Sequence, residues 1–151
     1  MQQEEIKKMI TDFGKNIGLP ELTFDENGYL CLMFDDVVVN IEAMFETEQL
    51  FFYTNIGEIP HENKEAFYEM LLTANYFFKE TAGGTIGIDK NANIISLAYQ
   101  LPFTSLTTNK LEKTVENFIN VAENWINKIK TFQHQETMPS SSYVLPQGIR
   151  A

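Results

Sequence analysis

The residues best suited to chemistry in this chain are two histidines, one cysteine and a pair of adjacent aspartates, and their spacing argues against a reaction centre. A histidine works as a general base or metal ligand when further polar groups stand in reach to orient it. His61 follows Pro60, and His134 stands at the start of a polar tail. Neither has a second histidine at i, i+4, and a single cysteine makes no Cys-x-x-Cys pair, so no zinc set forms and both histidines read as surface residues. Cys31 alternates with Leu30 and Leu32 and has no histidine nearby in sequence, which predicts a small buried hydrophobe and not a nucleophile. The string Gly83-Gly84-Thr85-Ile86-Gly87 lacks the Lys-Ser/Thr ending of a phosphate loop and precedes a strand, so a helix C-cap accounts for it. Asp35-Asp36 fall where a tight turn is needed. No catalytic residue, metal or cofactor is expected, and the chain reads as a non-enzyme.

Charge and composition narrow the alternatives. With 11 basic and 21 acidic residues the net charge is -10, which repels phosphate backbones and anionic lipid alike and argues against nucleic acid as partner. No apolar run reaches the ~18 residues of a membrane span, so membrane insertion is not expected. The opening Met1-Gln2-Gln3-Glu4-Glu5 lacks the pattern of a signal peptide. Together with the lone cysteine this predicts a cytoplasmic protein. At 151 residues, 44% hydrophobic and 13% aromatic, the chain is long enough for one domain with a core that needs no disulfide or metal.

The elements that would position any site follow from periodicity. Ile6, Met9, Ile10, Phe13 and Ile17 recur at helical spacing until Gly18 and Pro20 stop them. Stretches 29–34, 37–43 and 49–56 read as an antiparallel meander, with Phe51 and Tyr53 on one face of the third strand and Leu50, Phe52 and Ile56 on the other, so that both faces want cover. A second helix is predicted over 62–79. Its apolar residues cover more than the ~100° stripe of a surface helix, which points to a second layer of cover from another subunit. A hairpin is predicted over 85–89 and 94–101. Asn109 and Glu112 suggest a capping box opening a third helix, whose apolar face carries Leu111, Val115, Phe118, Ile119, Ala122, Ile126 and Ile129. The fold class is α+β: a helix-strand-strand-strand-helix-strand-strand-helix sandwich with a twisted antiparallel sheet, homodimeric. The domain spans 1–133, and 134–151 is a flexible C-terminal tail ending Pro146-Gln147-Gly148-Ile149-Arg150-Ala151, which reads either as a short docking peptide or as a tail that merely aids solubility. Apolar surface beyond the needs of a monomer marks a protein interaction site.

Several strings, in this order, carry a family resemblance: Asn16-Ile17-Gly18-Leu19 closing helix one, Leu22-Thr23-Phe24-Asp25-Glu26-Asn27 before the first strand, and Met70-Leu71-Leu72-Thr73-Ala74-Asn75-Tyr76-Phe77-Phe78 on helix two. Gly83-Gly84 before a strand and Ile95-Ser96-Leu97-Ala98-Tyr99-Gln100-Leu101-Pro102 before the last helix complete it. Over about residues 4 to 132 the chain resembles the class I chaperones of bacterial type III secretion, the CesT or Tir-chaperone-like family. The tail departs from the minimal family pattern.

That resemblance implies an acidic, cytoplasmic bacterial homodimer, associated with virulence. It would bind the N-terminal chaperone-binding segment of secreted effectors without ATP, keep it extended, and help deliver it to the secretion apparatus. The partners implied are a second copy, effector proteins, and the ATPase or sorting components of the apparatus. It places the dimer interface at Phe67, Met70, Leu71, Ala74, Asn75 and Phe78. The cargo groove falls on Ile6, Met9, Ile10, Phe13 and Ile17 of helix one, with Leu30, Leu32, Phe34, Val39, Phe51 and Tyr53 from the sheet, whose edge can take an added strand. The alternative reading is a regulatory module of similar build that holds a small molecule in an apolar pocket; no basic or aromatic ligand cluster is legible in its favour. A small hydrolase would need a nucleophile and base that the chain does not assemble.

Overall fold

A computed structural model describes residues 2–137. Helix α1 (Gln3–Asn16) carries Glu4 and Glu5 in its first turn and Lys15 in its last, each matched to the helix dipole, and buries Ile6, Ile10 and Phe13. It ends as its sequence dictates. Gly18 takes φ +84°, letting Leu19 N–H reach the Gly14 carbonyl at 2.7 Å and Gly18 N–H the Lys15 carbonyl at 3.3 Å, a Schellman closure.

The strands are β1 (Tyr29–Phe34), β2 (Val37–Met44), β3 (Gln49–Glu58), β4 (Thr85–Asp89) and β5 (Ile94–Pro102). All pair antiparallel in one sheet of order β1-β2-β3-β5-β4, so the meander and the hairpin join through β3 and β5. Asp35, at φ +52°, turns β1 into β2. Alternation sorts the side chains: Leu30, Leu32, Val39, Ile41, Phe52 and Leu97 are buried on one face. They share a single core with α1, α2 (Lys64–Asn75) and α3 (Thr108–Thr137), giving a two-layer α+β sandwich. Helix α3 lies so close to β3 that a Cβ on Gly57 would stand 2.8 Å from Ile129 Cγ2.

Four expectations change. Helix two ends at Asn75 and not near residue 79; Tyr76–Phe78 form a 3₁₀ turn in which Phe77 and Phe78 take φ +51° and +57°. The Gly83-Gly84 pair therefore does not cap that helix. Gly83, at φ +90°, turns the chain into β4, and a Cβ on Gly84 would stand 2.8 Å from the Ala98 carbonyl oxygen. Helix three is capped by Thr107, whose Oγ1 accepts the Lys110 N–H at 3.0 Å, and not by an Asn109–Glu112 box. It also continues through Thr137, past the expected boundary at 133, while the tail from 138 lies outside the described residues.

The third helix holds a residue that the apolar pattern omitted. Trp125 is almost fully buried between Ala122 and Ile129, and its Nε1–H donates to the Glu80 carbonyl at 2.8 Å. Lys128 pairs with the Glu80 carboxylate at 2.8 Å and stands 4.7 Å from the indole centroid. These contacts fasten α3 to the segment that follows α2.

Candidate functional site

Among the described residues, the sheet face turned away from the helices has no second layer. On it the backbone pairs Met33 with Val38, Cys31 with Asn40, and Met44 with Gln49. Met33 is 74% exposed, and Val38 and Met44 about 40% each. Phe51 and Tyr53 are half-buried among their cross-strand neighbours, so this face of β3 is partly covered by the sheet itself. A polar seam crosses it: the Tyr29 hydroxyl donates to Asn40 Oδ1, and Asn40 Nδ2 donates to the Tyr53 carbonyl at 3.1 Å. Burial raises the Tyr29 phenol above its ordinary value, helped by its contact with Cys31; burial and the nearby Glu42 charge do the same for Tyr53.

The two sheet edges differ. At β4 the Asn75 side chain occupies the outward backbone groups of Ile86, accepting its N–H at 2.9 Å and donating to its carbonyl at 2.8 Å. At β1, Gly28 bonds inward to Ala43, and Tyr29 turns outward to Asp25, whose N–H meets the Tyr29 carbonyl at 2.8 Å and whose Oδ1 accepts the Tyr29 N–H at 2.9 Å. Backbone direction alternates along a strand, so Cys31 and Met33 also point their N–H and C=O groups outward, where no described residue takes them up.

A second apolar surface lies along the outer side of α2 and the turn after it. Leu72, Tyr76, Phe77 and Phe78 are 56–79% exposed, and Tyr68, Leu72 and Tyr76 line a shallow groove with Glu65 and Glu69 at its rim. Two successive bulky residues in the left-handed region carry a strain of order 1–3 kcal/mol each, maintained only where the surroundings enforce it.

The residues expected to bind divide between these surfaces and the core. Phe67, Leu71 and Ala74, assigned to the dimer interface, belong to the chain's own core, where Phe67 meets the Phe132 ring edge-on at 5.0 Å between centroids. Asn75 is engaged at β4, Met70 is half-buried against the core, and Phe78 is exposed. Of the cargo residues, Ile6, Ile10, Phe13, Leu30, Leu32 and Val39 are likewise buried within the chain. Met9, Ile17, Phe34, Phe51 and Tyr53 are half-buried. The physical reason is the same throughout: the most regular apolar positions are those the fold uses first. Met33, Val38 and Met44 stand outside the expected set, although strand alternation puts them on the face opposite Leu32 and Val39. Leu72, Tyr76 and Phe77 are the apolar residues beyond one stripe of helix two that pointed to cover from another subunit.

The chemistry candidates stay dispersed. His61 is exposed in the bend before α2, and His134 sits in the last turn of α3, inside the helix and not in a tail. Cys31 is exposed, contrary to the expected burial, because Leu30 and Leu32 on either side face the core. Among the described residues no group of three His, Cys, Asp or Glu side chains could hold a metal, and no helix is long and apolar enough to cross a membrane. An open strand edge beside an uncovered Met, Val and aromatic face defines a protein built to bind extended polypeptide.

Comparison with known proteins gives that class its family. The model of the Tir chaperone protein (CesT) family matches residues 8–126, and the chain belongs to that family, the class I chaperones of type III secretion, which are binding proteins and not enzymes. The Tir chaperone of Citrobacter freundii is 26% identical over 116 residues, 77% of this chain and 74% of the relative. The transcriptional anti-antiactivator ExsC of Pseudomonas aeruginosa is 25% identical over 122 residues, 80% and 83% of the two chains. Among solved structures, the ExsC–ExsE complex contains a chain that superposes with a TM-score of 0.73 at 25% identity, covering 84% of this chain and 96% of that one. The HopA1–SchA chaperone–effector complex shares the fold, with a TM-score of 0.68 at 18% identity over 81% and 93% of the two chains.

Proposed function

We propose that this protein holds the N-terminal segment of a secreted effector in an extended state on the open sheet face and the β1 edge, in the bacterial cytoplasm, and presents it to the secretion apparatus. The observation that carries this is the free edge: Cys31 and Met33 offer backbone groups to any strand, beside the exposed side chains of Met33, Val38 and Met44. Backbone pairing is indifferent to cargo sequence, while a few apolar pockets select anchors. Thioether side chains repack easily, which suits more than one cargo. A cargo that is disordered when free loses conformational entropy on docking, so a wide contact need not be too tight for release. The relatives solved with ExsE and with HopA1 support a protein cargo.

The chaperone acts as a homodimer joined through the outer side of α2, where Leu72, Tyr76 and Phe77 would cover their counterparts. The binding domain is drawn to Thr137, the end of α3.

The test is a pull-down and calorimetric titration with the N-terminal segment of an effector encoded beside this gene. Met33→Asp with Val38→Asp leaves folding and self-association unchanged and weakens binding by about tenfold or more, since each removes an exposed apolar contact and adds a charge. Undiminished binding by this double variant would move the cargo to another surface.

A further inference from the structure

On the helical layer, away from the open sheet face, a cleft of about 190 Å³ lies between the Thr81–Ala82 turn, the Tyr99 ring on β5 and the first turns of α3. The α3 wall is a single stripe: Lys110, Lys113, Thr114, Asn117, Phe118 and Val121 recur three and four residues apart. Three features of this wall ask for a ligand.

Thr114 is more than nine-tenths buried, yet its hydroxyl has no hydrogen-bond partner among the described residues. That hydroxyl is not sealed off from solvent, so it stands at the cleft wall able to bond a ligand atom. Lys110 and Lys113 line the same cleft, and neither ammonium forms an ion pair among the described residues, in a chain of net charge -10. Asn117 adds an amide with no side-chain hydrogen bond among them. The stripe also begins at the positive end of the α3 dipole, which adds to the lysine field. The remainder of the lining is apolar: the Tyr99 and Phe118 rings, Val121 and Ala82.

We propose that this cleft binds a small organic anion. Its carboxylate or phosphate head lies between Lys110 and Lys113, with Thr114 and Asn117 donating to it, and its apolar body, one ring or a short chain, rests on Tyr99, Phe118 and Val121. The volume sets the limit on size, since pockets for drug-sized ligands run to ~300–1,000 Å³. The site shares no residue with the sheet face or the outer side of α2, so it stands or falls independently of cargo binding and dimerisation.

Calorimetric titration of the full chain with benzoate, phenyl phosphate and the neutral benzyl alcohol tests this. One or both anions bind saturably at one site and the alcohol does not. Lys110→Gln and Lys113→Gln each weaken the anion by about tenfold, the effect of one lost charge-assisted contact. Thr114→Val weakens it several-fold without lowering the melting temperature, a combination that a purely structural threonine would not give. The site is refuted if neither anion binds, if benzyl alcohol binds as well as benzoate, or if binding survives the double lysine variant.

Discussion

Asn75 stands in for a sixth strand at one residue of the β4 edge: its amide takes both the N–H and the C=O of Ile86, at 2.9 and 2.8 Å. Asn75 is the last residue of α2, so the same side chain ties the C-terminal end of that helix to β4. Ile88, two residues further along β4, turns its backbone groups outward as well, so Asn75 covers the α2-proximal part of that edge. On β1 neither Cys31 nor Met33 has such a stand-in among the described residues.

Replacing Asn75 by Ala removes both bonds and leaves the Ile86 groups to water. The expected loss is about 1–3 kcal/mol of unfolding free energy, measured by urea denaturation, with faster hydrogen exchange at the Ile86 amide. Asn75→Asp keeps the acceptor but sets a carboxylate oxygen against the Ile86 carbonyl, so it should cost at least as much as Ala. An Ile86 amide that exchanges no faster in Asn75→Ala would show that the pairing does not hold the edge.

Much of this frame is written locally, and the remainder depends on partners distant in sequence. Gly18 announces the end of α1 because glycine enters, without strain, the left-handed conformation that a Schellman closure needs. The Asp35-Asp36 turn and the hairpin strands are equally local. The end of α2 is not, because Asn75 is held by a residue eleven positions away that is adjacent only once the sheet has formed. The Trp125 position was legible: Leu111, Val115, Phe118, Ala122, Trp125 and Ile129 step by four and three along α3. The binding surface was harder to read because apolar character alone does not separate a residue that builds the core from one left outside it. Ile10 and Met33 are both apolar; only the completed sandwich shows which of them remains for a partner.

Thr54 faces the core from β3, opposite Leu97, and its hydroxyl is buried with no hydrogen-bond partner among the described residues. Thr54→Val preserves the branched shape and removes the orphaned group. Stability should rise by about 1–3 kcal/mol, read as a higher denaturant midpoint at an unchanged slope. A lower midpoint would mean that the hydroxyl has a partner in solution.

Tyr53 titrates late, because burial and then the Glu42 carboxylate disfavour its phenolate. The sign for stability follows from a folded-state pKa above the unfolded value: the contribution of the neutral phenol is complete below pH ~10 and is lost as pH rises through the folded value. An alkaline titration followed by phenolate absorbance should show a late-ionising class that shrinks in Tyr53→Phe. In Glu42→Gln that class ionises earlier. Identical curves for wild type and Glu42→Gln would remove the carboxylate as a cause.

Leu71 and Leu72 are neighbours in sequence with opposite fates, one 5% and the other 69% exposed, and they separate folding from assembly. Leu71→Asp places a charge in the core and should give unfolded or insoluble protein whether or not the chain dimerises. Leu72→Asp places the same charge on the outer side of α2, where the folded chain tolerates it. If α2 joins two copies, the wild type sediments as a dimer and Leu72→Asp as a soluble monomer with a native far-ultraviolet dichroism spectrum. Phe77→Gly refines the test, because glycine occupies φ +51° without strain and should stabilise the isolated chain by about 1 kcal/mol while removing an aromatic contact from the interface. A dimer of unaltered affinity in Leu72→Asp would place the contact between copies on another surface, and the exposed Tyr76 and Phe77 would then need a different partner to cover them.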